Sequence, residues 1–99
     1  MATIVRVSTW RIPSDPKARD TVRVYIARDV IPALQTVFGY QDGRWLLDEK
    51  NGSLVVVTNW GSEAALARSA TLMGHVRQEG ERRGLTFLTA ESYEVLLEG

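Results

Sequence analysis

Ser53-Leu54-Val55-Val56-Val57-Thr58-Asn59-Trp60 is the segment on which the fold of this chain turns. β-Branched residues dominate it, and the alternation of a strand sends Leu54, Val56, Thr58 and Trp60 to one side and Val55, Val57 and Asn59 to the other. From Leu54 to Val57 both sides are apolar, so both sides have to be covered. Upstream, Asn51-Gly52 tolerates positive φ and suits a tight hairpin turn, which makes Tyr40 to Glu49 the antiparallel partner. Downstream, Gly61-Ser62-Glu63 starts a helix, with Ser62 as N-cap and Glu63 at the positive end of the dipole. Ala65, Leu66, Ala70, Met73 and Val76 form its inner side, a break is expected near Ser69, Gly80 weakens its end and Gly84 closes it.

The flanks complete the pattern. Thr3 to Ile12 is rich in β-branched residues and stops at Pro13, which has no N–H for a ladder. Asp15 before Pro16 is an N-cap followed by a proline at the first helical position. The helix that follows carries an apolar stripe of Ala18, Val22, Tyr25, Ile26, Val30, Ala33 and Leu34. Pro32 removes a hydrogen bond inside it and is expected to kink or tighten the last turn before Gly39. Alternation of Tyr93, Val95 and Leu97 predicts a last strand over Ala90 to Glu98. The order is β-α-β-β-α-β, the α+β ferredoxin-like sandwich: a four-stranded antiparallel sheet with both helices on one face.

A length of 99 residues, 44% hydrophobic content and no cysteine describe one domain over residues 1–99 without disulfides or thiolate metal sites. Twelve basic residues balance twelve acidic ones along the chain, so nothing marks it for nucleic acid or an anionic membrane. Met1 to Trp10 has neither a basic lead nor a long apolar run, and a cytoplasmic, non-membrane protein is expected. Helices shelter one face of the sheet, and the other needs a second copy. Burying about 600–800 Å² of apolar sheet per subunit contributes on the order of 15–20 kcal/mol before association costs, so a homodimer through the sheet faces is expected.

Ile31-Pro32-Ala33-Leu34, Phe38-Gly39-Tyr40 and Trp60-Gly61-Ser62-Glu63-Ala64-Ala65-Leu66 resemble segments of the antibiotic biosynthesis monooxygenase-like (ABM) family of the dimeric α/β-barrel superfamily. The resemblance spans nearly the whole chain in element order, although Phe38 stands where the family's turn has proline. It implies a dimeric α/β barrel with a small-molecule pocket in each subunit between sheet and helices. It further implies cofactor-independent oxidation of anthrone- or quinol-type aromatics in some members and haem degradation in others, and leaves enzyme and non-enzyme both open. The Asn and Tyr that accompany the Trp in anthrone-oxidising members correspond here to Val56 and Leu66. Asn59 is nearby, but its parity turns it to the opposite face. The Asn, Trp and His of haem-degrading members correspond to about Ser8, Ser69 and near Glu79, which disfavours haem cleavage.

A mostly apolar substrate pocket is accordingly expected from Trp10, Thr58, Trp60, Leu66 and Met73, with Ser8 and Arg6. Trp60 has two readings: a plug at the strand-helix junction, and an indole that stacks on a planar ligand. His75, the single imidazole, would suit a general base, but Glu79 four residues on would hold it as an imidazolium on a solvated helix face. Trp60 and His75 are the catalytic candidates, with no catalytic residue assigned. Arg6 shares a strand face with Ile4, Ser8, Trp10 and Ile12, and requires a carboxylate such as Glu94 or Asp48, or a ligand anion. No clustered metal ligands and no phosphate-binding glycine loop are present, so neither metal nor cofactor is expected, and the partners are a second copy and a small apolar or aromatic ligand.

Overall fold

The computed structural model describes residues 3–99; Met1 and Ala2, part of the single-domain reading, lie outside the described residues. Strands β1 (Ile4–Arg11), β2 (Tyr40–Asp48), β3 (Ser53–Trp60) and β4 (Thr86–Glu94) form one antiparallel sheet in the order β2-β3-β1-β4. Helices α1 (Pro16–Tyr25) and α2 (Ile31–Gln35) make the first crossover, and α3 (Glu63–Arg68) and α4 (Ala70–Arg82) the second. This is the ferredoxin-like α+β sandwich.

Local chemistry sets the element ends. Asp15 accepts the Ala18 N–H at 3.0 Å with Pro16 at the start of α1, and Ser62 accepts the Ala65 N–H at 3.1 Å to start α3. Ser69 turns its hydroxyl onto the Leu66 carbonyl at 2.6 Å and separates α3 from α4. That break resets the helical phase, so Ala70, expected inside, is exposed, while Ser69 is fully buried and Leu72 packs on the core. Gly84 ends the second crossover at φ +98°.

One expectation needs extension and two need correction. The last turn before Gly39 does tighten, with the Thr36 and Val37 N–H groups on the Ala33 and Leu34 carbonyls at 3.1 and 3.0 Å. The backbone also changes upstream of Pro32: between α1 and α2 it widens into a π-helical turn, Ile26–Val30, in which the Ile31 N–H reaches the Ile26 carbonyl. Widening accommodates a proline ring that would otherwise strike the carbonyl four residues earlier. The β2–β3 connection is a four-residue loop, since Asp48 pairs with Ser53. Gly52 alone adopts positive φ there, while the Asp48 carboxylate holds Asn51 through backbone and side-chain amides. Finally, the last strand runs over Thr86–Glu94, four residues earlier than the alternation placed it. It is set by pairing with β1, which runs out at Ile4 opposite Glu94.

The core lies between sheet and helices, with Leu54, Val56, Thr58 and Trp60 of β3 and Ile4, Ser8 and Trp10 of β1 buried beneath Val22, Tyr25, Ile26, Val30 and Leu34. On the opposite face, register aligns Arg44, Val57, Val7 and Glu91 in one row and Leu46, Val55, Thr9 and Thr89 in the next. The chain's own helices leave Val5, Val7, Val55 and Val57 half-buried and Leu46 exposed. Among the described residues no helix is long and apolar enough to cross a membrane.

Candidate functional site

The floor of the site is two strands that each hold their own tryptophan. The Trp10 Nε1–H donates to Ser8 Oγ at 3.1 Å, and the Trp60 Nε1–H donates to Thr58 Oγ1 at 3.0 Å. In a strand, residues two apart share a face, so each hydroxyl lies beside the ring it satisfies. An edge-on Phe87 ring at 5.1 Å locks Trp10, and an edge-on Tyr40 ring at 5.2 Å locks Trp60. Phe87 reaches that face because β4 bulges opposite Thr9 and Trp10, reversing the parity of its first residues.

Above this floor lies a cavity of about 40 Å³, roofed by Tyr25, Ile26, Val30, Leu34, Met73 and Val76. Ser8, Trp10, Thr58 and Met73 of the expected pocket line it. Its volume is far below the roughly 150 Å³ that accommodates benzene. A second space of about 850 Å³ opens between α1, the π turn and the β2–β3 hairpin. Val22, Ala27, Ile31 and Leu47 form apolar walls there, and Ile26, Trp45 and Leu54 border both spaces. Volume and lining of the outer groove match those of small-molecule sites in general.

Charge collects at the rim of the groove. Arg19 donates from Nε to the Pro13 carbonyl at 2.7 Å and stands 3.6 Å from Glu49, while Arg23 pairs with Asp20 at 2.8 Å. Arg44 borders the groove from the edge strand. The result is an apolar slot whose entrance carries two arginine–carboxylate pairs and the guanidinium of Arg44.

The remaining expected residues lie elsewhere. Trp60 is completely buried beneath Tyr40 and lines neither space, so its position is that of a junction plug. Leu66 packs on the core from α3. His75 is exposed on α4, and Glu79, expected to hold it, gives its carboxylate to Arg83 at 2.8 Å and to Arg82 at 3.1 Å. The hydrogen bond from Arg83 draws the Glu79 carboxyl below its ordinary range. Arg6 makes no ion pair among the described residues, with Glu94 or any other acid, and burial draws its guanidinium below its ordinary value. Asn59 donates to Asp42 on the far side of the sheet.

Sequence reasoning missed Trp45, the wall between the two spaces. Its signal was Gly43: a Cβ there would lie 3.0 Å from the Trp45 ring and 2.7 Å from the Tyr40 hydroxyl, so only glycine lets the indole lie back along the strand. The groove itself was also missed, because its sides come from Val22, Ile26 and Ile31 on one crossover and Leu47 and Leu54 on the hairpin. No periodicity reveals that such stripes stand apart instead of touching.

The family-like segments meet in space. Gly39, at φ +95°, would drive a Cβ to 2.4 Å from the Ala65 Cβ, and its carbonyl accepts the Gly61 N–H at 2.8 Å. Arg68 donates to the Phe38 carbonyl at 3.3 Å and lies over the Phe38 ring. No protein-family profile matches the chain, and no curated protein matches it. Solved structures do. A monooxygenase from the ActVA-Orf6 gene of Streptomyces coelicolor, solved with Nanaomycin D, is similar at TM-score 0.72 and 14% identity, over 99% of this chain and 89% of that one. SnoaB from Streptomyces nogalater, a cofactor-independent oxygenase, is similar at TM-score 0.65 and 17% identity, over 100% and 96%. The haem degrader MhuD of Mycobacterium tuberculosis, with two haems in its active site, is similar at TM-score 0.68 and 20% identity, over 97% and 98%. At these identities the likeness is one of fold: the chain has the ferredoxin-like α+β fold that these enzymes share.

Proposed function

We propose that this chain is a homodimeric, cofactor-independent monooxygenase that oxidises a small aromatic of the anthrone or quinol type in the outer groove. The carrying observation is a groove of about 850 Å³ with apolar walls and with Arg19, Arg23 and Arg44 together with Asp20 and Glu49 at its mouth. A flat polycyclic fits apolar walls. Arg44, the arginine of the rim with no ion pair among the described residues, leaves the mouth with one positive charge in excess of Asp20 and Glu49, which favours the anion that such a substrate forms on losing a proton. Electron balance needs no further redox group: an activated ring CH₂ and O₂ give C=O and H₂O, with the electrons drawn from the two C–H bonds. The protein's part is to orient the anion, exclude water and admit oxygen. The shared fold with ActVA-Orf6 and SnoaB supports this reading. The half-buried valine face supports the dimer.

Oxygen consumption by the purified protein with a panel of anthrones and hydroquinones tests the proposal, and turnover above the buffer rate is expected. Rates equal to buffer across the panel would sink it. The second reading is a non-catalytic small-ligand binder. Val56 and Leu66 at the Asn and Tyr positions favour it, since neither offers a proton acceptor or donor. It expects ligand-raised melting temperatures without turnover. Haem cleavage is not proposed, because Ser69 is sealed in the core and Glu79 is engaged by arginines.

A further inference from the structure

We infer that the inner cavity is a binding site for molecular oxygen, placed behind the aromatic site and separated from it by the wall of Ile26, Trp45 and Leu54. The inference deepens the oxygenase reading and rests on it for its biological sense, but the site itself is argued from the cavity.

At about 40 Å³ the space is too small for any ring and suits a diatomic molecule. Its lining is almost wholly hydrocarbon, and an apolar gas leaves water for such a space with little to lose. Water would need two to four polar partners. Only the Ser8 and Thr58 hydroxyls stand in the floor, each 2% exposed and each already accepting an indole N–H, so a water there would meet the bare minimum of two partners and turn its own hydrogens toward hydrocarbon. Neither hydroxyl donates a hydrogen bond to any group among the described residues, so each retains an O–H. Two O–H groups give little to neutral dioxygen. Once one electron passes from the deprotonated aromatic to O₂, they face superoxide, a good acceptor. For the C–O bond to form, superoxide has to pass the shared border of Ile26, Trp45 and Leu54 into the groove, where it joins the substrate radical. The resulting peroxide takes up the proton lost earlier and eliminates water, leaving the C=O.

Oxygen is paramagnetic, which gives a test independent of turnover. Methyl ¹³C relaxation of the protein is measured under raised oxygen pressure and again under nitrogen. The expected result is faster relaxation at the Val30, Val56 and Met73 methyls than at Ile4 and Ala65, which are buried but do not line the cavity. Val56→Ile adds one methylene to the space and is expected to remove that selectivity; Val30→Ile serves the same purpose from the roof should the strand variant fold poorly. In steady-state assays either variant is expected to raise the KM for oxygen several-fold and leave the KM for the aromatic unchanged. Uniform relaxation across buried methyls, or an ordered water between Ser8 and Thr58 in a crystal structure, would overturn the inference even if the protein oxidises aromatics. Selective relaxation without aromatic turnover would keep the oxygen site and remove the oxygenase reading.

Discussion

The Trp45 indole lies against the bare backbone of Gly43, where two of its ring carbons would stand 3.0 Å from an added Cβ. Gly43→Ala therefore has to push the indole, the Tyr40 phenol or the edge strand itself. Overpacking of this kind costs about 1–3 kcal/mol. A lower urea midpoint together with altered near-UV circular dichroism is the expected outcome. A variant that melts and absorbs as the parent does would show that Trp45 is not held there.

Gly39→Ala combines positive φ with a Cβ 2.4 Å from that of Ala65. Backbone strain alone costs on the order of 1–3 kcal/mol, and here the collision adds to it. The melting temperature is expected to fall clearly, and Ala65→Gly in the same chain is expected to restore part of the loss. Absence of rescue would mean that the close approach does not set the cost.

Trp60→Ala empties the most completely buried large side chain and leaves Thr58 without its indole donor. A loss of about 3–5 kcal/mol is expected in denaturant titration, and Trp60→Phe should cost less because the ring space stays filled. If Trp60→Phe folds and keeps full oxidation of an aromatic substrate, the indole is a plug; selective loss of kcat in that stably folded variant would return it to the chemistry.

Burial raises the Tyr25 and Tyr40 phenols above their ordinary 10.0. A group with a raised folded-state pKa contributes stability in full below its unfolded value and loses it as pH climbs through the folded value. Stability should therefore hold up to about pH 10 and decline above it. Tyr25→Phe and Tyr40→Phe should each flatten that decline in melting temperature. Tyr93 is raised as well, by its hydrogen bond to Glu91, so Tyr93→Phe is the third arm of the comparison. An unchanged slope in all three would refute the assignment.

Val57→Lys places a charge in the middle of the apolar sheet face, beside Val7. Sedimentation velocity should report a dimer for the parent chain and a monomer for the variant at micromolar concentration. A parent chain that sediments as a folded monomer would remove the dimer from the proposed function.

The β3 segment was legible because a run of valines at one strand position leaves few alternatives, and the caps at Asp15 and Ser62 were legible because a short polar side chain before a helix has one good use. The end of the chain misled. Tyr93, Val95 and Leu97 alternate as a strand should, but pairing needs a partner, and β1 stops opposite Glu94. The π turn was hidden for a related reason. Val22, Ile26, Val30 and Leu34 recur every four residues, and at 3.6 residues per turn such a ladder drifts around the helix by about 40° per step. The wider turn opposes that drift and keeps Ile26 and Val30 over the cavity. Ser8, Trp10, Thr58 and Met73 could be read from strand parity and helix spacing, whereas the groove is a gap between elements and is written in no single segment.

Each tryptophan in the floor is tied to a hydroxyl of its own strand, and the Tyr25 hydroxyl in the roof donates to the Val76 carbonyl, also in the roof, at 3.4 Å. Directly across the cavity the two layers thus meet through grease alone among the described residues, while Arg19 beside Glu49 and Arg77 over the Phe87 ring clasp helices to sheet at the margins. With clasps at the edge and none in the middle, the height of the chamber is set by how its side chains pack, so a single added methylene at Val30 or Val56 is felt there at once.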